Sequence, residues 1–124
     1  MKFIRIKRYD IAMTKKNPDK VFIFGDNLAG YGKGGQAQIR GQPNAYGIPT
    51  KKKPTMQSDA YMTDIEYSSN IKAIDAAIAK IPKNKDIVFP KDNIGTGRAL
   101  MKQNAPRTYK YLQESIMKLE KNYG

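Results

Sequence analysis

Two short runs limit what this chain can fold into. Lys20–Phe24 reads KVFIF and Asp86–Phe89 reads DIVF. After the first residue each is continuously apolar and rich in β-branched and aromatic side chains. A strand that is wet on one face alternates polar and apolar residues. A strand without alternation is covered on both faces, as in the middle of a parallel sheet. Both runs stop abruptly at loops containing glycine, GDNLAGYGKGGQ after the first and KDNIGTGR after the second.

The remaining segments supply layers to cover such a sheet. KFIRIKRY at the start alternates, with Ile4 and Ile6 on one side and Arg5 and Lys7 on the other, which predicts a half-exposed strand. NPD, Asn17 to Asp19, predicts a turn. AYGIPTK predicts a short extended piece stopped by Pro49, and KKKPTMQSDAY an exposed loop. Thr63 and Glu66 have capping-box spacing, and Ile71, Ile74, Ile78 and Ile81 recur at helical spacing until Pro82. A last helix is expected from Asn104 as N-cap and Pro106 in the first turn, with Tyr109, Leu112, Ile116 and Leu119 as its apolar stripe. The order strand, strand, glycine loop with a short helix, strand, helix, strand, glycine loop, helix predicts one α/β domain over 1–124. Its sheet is mixed but mostly parallel, in three layers with helices on both faces.

Composition removes several chemistries. The chain has no cysteine and no histidine. Disulfides, thiolate nucleophiles, Ser-His-Asp triads and the common zinc sites are therefore excluded. No metal or cofactor is expected, and acid–base work would fall to carboxylates, lysine, tyrosine or a substrate group. No apolar run is long enough for a membrane span, and MKFIRIKRYD lacks the apolar core of a secretory signal. A cytoplasmic protein is expected. The formal charge is +12. A lysine-biased soluble surface, a phosphate-binding site and a nucleic-acid surface are all compatible with it.

Seven of the ten glycines lie between Val21 and Lys51. Glycine costs conformational entropy, so the cluster serves either tight turns or close approach of backbone to a ligand. The ligand reading makes Gly34-Gly35, ahead of QAQIR, and Gly95-Thr96-Gly97 two cradles of backbone N–H groups. The Thr96 hydroxyl, Lys33 and Arg98 would add donors and charge, and the pair would suit a diphosphate. In the turn reading, Asn27 bonds its own loop. Strands of a parallel sheet carry ligands beyond their carboxyl ends, where both loops lie. Arg98, Lys33 and Arg40 are expected near this cleft, with Lys51, Lys52 and Lys53 in solvent.

The pattern resembles macro domains, the ADP-ribose-binding fold, and most closely their divergent phage-type relatives. YDIA, Tyr9 to Ala12, stands where those proteins carry an Asp-Ile pair. VFIFGDN ends in Asn27, GKGGQAQI is similar to their first glycine loop, and VFPKDNIGTG to their second. The resemblance implies that Asp10 and the Ile11 N–H contact adenine and that Asn27 lies by the distal ribose. It places Gly34 and Gly35 close to ribose and phosphate and Ile94, Gly95, Thr96 and Gly97 around the diphosphate, with Gly25, Gln36 and Asn93 as further ligand contacts. Tyr9 replaces the usual preceding glycine, Asp26 replaces a small residue, and the chain is short for the family. The implied function is binding of ADP-ribose or a related adenine nucleotide, a small-molecule partner, in phage-type proteins as sequestration of a nucleotide signal. Alternatives are hydrolysis of an ADP-ribose derivative, with Asn27 or Asp26 placing a water, and binding of nucleic acid or poly(ADP-ribose).

Overall fold

The computed structural model describes residues 1–123. Its sheet has four parallel strands: β1 (Phe3–Ile6), β2 (Val21–Asn27), β3 (Ala45–Lys51) and β4 (Ile87–Pro90), in the order β1-β4-β2-β3. The two continuously apolar runs, β2 and β4, are the central pair. The one antiparallel contact, Lys51 with Tyr61, lies outside the ladder.

Alternate side chains of the central strands enter two separate cores. Val21, Ile23, Ile87 and Phe89 pack on one face against Ile74 of α2 (Tyr67–Ala79) and Leu112 and Ile116 of α4 (Pro106–Lys121). Phe22, Phe24 and Val88 pack on the other against Tyr9 and Ile39, under α1 (Ile11–Lys16) and a short 3-10 turn, Gly35–Ile39. This three-layer arrangement is the expected α/β architecture. Each fully covered aliphatic or aromatic side chain contributes roughly 1.5–3 kcal/mol. Burial pushes the Tyr9 phenol far above its ordinary range, and its hydroxyl donates to the Ile23 carbonyl.

Four local expectations are corrected. The first two strands, expected in succession, are separated by α1. Asp10 caps α1, its Oδ1 accepting from the Met13 N–H at 2.9 Å. Pro49 does not stop β3, because β3 is an edge strand and alternate N–H groups there point away from the sheet. The loop after β3 is not simply exposed: Ala60 and Met62 are fully buried, and the Lys52 N–H donates to the Ala60 carbonyl at 2.8 Å. Thr63 and Glu66 meet through their side chains, across a 3-10 turn that precedes α2, without capping its backbone.

The last helix is capped from far away. Asn104 belongs to a separate turn, α3 (Met101–Asn104), and its amide donates back to the Leu100 carbonyl. Asp64 instead accepts from the N–H groups of Arg107 at 2.8 Å and Thr108 at 3.0 Å, and from the Thr108 hydroxyl at 2.9 Å. Burial alone would raise this carboxyl, but these donors and the Arg107 charge bring it below its ordinary value of 3.8. Its contribution is therefore complete above that value and is lost as pH falls through the depressed one. Asp64→Ala is expected to lower stability by about 1 kcal/mol at pH 7 in urea denaturation. The difference from the parent should shrink below pH 3.8.

Candidate functional site

The central strands create a crevice by where their loops go. The loop after β2 crosses to the α1 face and enters the Gly35–Ile39 turn. The loop after β4 crosses to the opposite face and enters α3 and α4. Between the diverging loops lies a cleft of about 260 Å³. A groove of about 590 Å³ continues it past Ile6, Lys7 and Arg8, sharing Gly35, Gln36, Pro90 and Asn93 with the cleft.

The first loop is braced from strand and turn. Arg40, at the end of the 3-10 turn, pairs with Asp26 Oδ1 at 2.6 Å and donates through Nε to the Gly32 carbonyl at 2.8 Å. Its guanidinium lies 5.2 Å from the centre of the Phe24 ring. Asp26 folds over Gly47 of β3, where a Cβ would come within 2.5 Å of Oδ2 and 2.7 Å of the Asp26 Cβ. Asn27 spends both ends of its amide on the loop, accepting from the Gly30 N–H at 2.9 Å and donating to the Tyr31 carbonyl at 2.8 Å. Gln36 is bound in both directions to the backbone of Tyr9, its Nε2 donating at 2.6 Å.

The second loop is held by α4. Asn93 adopts a positive φ of 74° and accepts from the Ile94 N–H at 2.8 Å. Its amide donates to Gln113 of α4, which in turn donates to the Ile94 carbonyl at 3.2 Å. The Thr96 hydroxyl donates to the Asp92 carbonyl at 3.2 Å, so it braces the loop instead of facing a ligand.

What the two loops leave free is backbone. Among the described residues, the N–H groups of Gly34, Gly35 and Gln36 have no protein acceptor, and neither do those of Gly95, Thr96, Gly97 and Arg98. Gly95 is itself buried. Unpaired donors in consecutive order form an anion-binding concavity. Both loops line the same cleft.

The expected site residues divide accordingly. Gly25, Asp26, Asn27, Gly34, Gly35 and Gln36 line the cleft from the first side. Asn93, Ile94, Gly95, Thr96 and Arg98 line it from the second. Lys33 and Gly97 are exposed and do not line it. Asp10 and Ile11 line neither cleft nor groove, because the Asp10 carboxylate is turned into the first turn of α1. Lys51, expected in solvent, is part of the wall with Tyr31 and Pro54. The β2–β3 register pairs Asn27 with Lys51, so ending β3 at Pro49 removed Lys51 from view. The Lys51 Nζ donates to the Thr55 carbonyl at 2.6 Å and lies 5.0 Å from the centre of the Tyr61 ring. Burial, and then the Arg98 charge, lower its affinity for a proton.

The glycines also separate. Gly35, Gly95 and Gly97 have positive φ of 58°, 82° and 56°, so the turns themselves require them. Gly95 carries a second demand, since a Cβ would press within 2.7 Å of the Met101 sulfur. Gly34 is extended, at φ −76° and ψ 145°, a conformation open to any residue. Its missing side chain is therefore not a requirement of the backbone. A Cβ there would meet only Arg98 Nη1, at 3.5 Å.

A family model matches residues 4–115, and the chain belongs to that family, DUF7831, a family of unknown function. No curated protein and no solved structure matches the chain.

The brace under the first loop is sensitive at Gly47. Gly47→Ala forces Asp26 off its position and strains the Arg40 pair. A loss of about 1–3 kcal/mol in urea denaturation is expected, as for an overpacked interior site. Gly34→Ala, by contrast, should leave the unfolding midpoint within the spread of surface substitutions.

Proposed function

We propose that the chain binds ADP-ribose or a related adenine nucleotide derivative through its diphosphate and holds it without turning it over. The observation that carries this reading is the pair of unpaired N–H runs on two loops that line one cleft, with Gly34 of the first run bare. Diphosphate oxygens would take the place of the missing acceptors, and Gly34 would leave the room they need. The cleft suits a diphosphate with its adjoining ribose. The base would extend into the continuing groove, between Ile6 and Gln36 and not against Asp10.

Holding without turnover is supported by what the candidate catalytic groups already do. Among the described residues Asp26 is the sole carboxylate lining the cleft, and Arg40 occupies it. Asn27 is engaged by its own loop at both ends of its amide, which orients it as a brace. Retention without chemistry would serve to sequester a nucleotide signal. Among the described residues no helix is long and apolar enough to cross a membrane.

A melting experiment tests the reading. Ligand bound only to the native state stabilises it by RT ln(1 + [L]/Kd), about 2.7 kcal/mol at a hundredfold excess, so melting should rise by about 10 °C. Gly34→Leu should melt where the unliganded parent does and show no rise with ADP-ribose, because its side chain fills the cleft. Equal shifts in both proteins, or none in the parent with ADP-ribose, ADP or NAD, would count against the proposal.

A further inference from the structure

Arg98 belongs to the second loop, yet its guanidinium lies against Gly34 of the first. It spans the cleft. Arg5 and Arg40 are paired with Glu120 and Asp26, and Arg107 stacks on Tyr67. Among the described residues Arg98 makes no hydrogen bond, ion pair or ring contact. It is exposed, so its position over the cleft is not enforced by packing. Lys51, the other cation of the wall, is half-buried and has no carboxylate partner. Asp26, the one acid lining the cleft, is neutralised by Arg40. The cleft thus carries two uncompensated positive charges beside two runs of unpaired N–H groups. They are close enough that the Arg98 charge weakens proton binding at Lys51.

Such a site is electrostatically incomplete without an anion of matching charge. A neutral nucleoside leaves both cations facing each other, and a single phosphodiester satisfies one. A diphosphate, with a charge on each phosphorus, satisfies both. We infer that Arg98 and Lys51 form a two-cation clamp that selects adjacent phosphate charges, with Arg98 as the closing arm over the diphosphate. This inference rests on the cleft being the nucleotide site and names what that site discriminates.

The test is calorimetric titration of the full chain with ADP-ribose, inorganic pyrophosphate, cyclic AMP and adenosine. The parent, Arg98→Gln, Arg98→Lys and Lys51→Met are compared. Arg98→Gln should fold as the parent does, because Arg98 has no protein partner to lose. It should weaken ADP-ribose and pyrophosphate by roughly 10- to 100-fold, the range for a lost charge-assisted hydrogen bond. Cyclic AMP and adenosine should change little, so the preference for two charges collapses. Arg98→Lys should recover part of the loss. Lys51→Met keeps the stem against Tyr61 and should show the same selective weakening. If Lys51→Met fails to fold, Arg98→Gln decides the matter alone. If the parent binds ADP-ribose and Arg98→Gln binds it equally, or loses all four ligands in proportion, the clamp is overturned while the nucleotide reading stands. If pyrophosphate binds in an Arg98-dependent way and ADP-ribose does not bind, the clamp stands and the nucleotide reading falls. Binding of neither overturns both.

Discussion

The burial of β2 and β4 on both faces is the constraint from which the rest follows. Parallel neighbours in the middle of a sheet end at the same edge, so both loops must start side by side. The layers then pull them apart: one loop has to reach the α1 face and the other the α4 face. A crevice at that divergence is a consequence of the topology and needs no special sequence. What the sequence adds is the chemistry of its walls.

Those walls are stiffened by polar side chains and left open along the backbone. Arg40 with Asp26 braces the first loop, Gln36 ties it to Tyr9, and Gln113 with Asn93 braces the second. The side chains that would serve catalysis are spent on shape. The donors that remain are main-chain N–H groups, which cannot act as acids or bases at neutral pH but need no reorganisation to hold an anion. Unpaired donors beside two cations that lack a carboxylate partner support the proposed reading of a holding site.

Much of this was legible in the sequence because it depends on local pattern. The continuous apolar runs identified the central strands, and the glycine loops that follow them line one cleft. The rest depends on partners far away in the chain. The α1 helix is six residues long with only Thr14 buried, so no apolar period announces it. Pro49 breaks a central strand but not an edge strand, and edge position is a property of the assembled sheet. Asp64 caps a helix whose first residue lies more than forty positions away, where spacing rules do not reach. The same limit applies inside the site: the choice between Asn27 as ligand contact and as loop brace turned on the Gly30 and Tyr31 partners of its amide.

The central claim is that two runs of backbone N–H groups, on two loops that line one cleft, take up the phosphates of a nucleotide. Amide ¹H–¹⁵N shifts during titration with ADP-ribose read those groups directly. The account predicts saturable movement of the Gly34, Gly35 and Gln36 resonances together with those of Gly95, Thr96, Gly97 and Arg98, at a single apparent Kd. The Asp10 and Met13 amides should stay near their free positions. Movement confined to the opposite end of the sheet, around Lys15, Asn44 and Lys85, or to one glycine loop without the other, would contradict it.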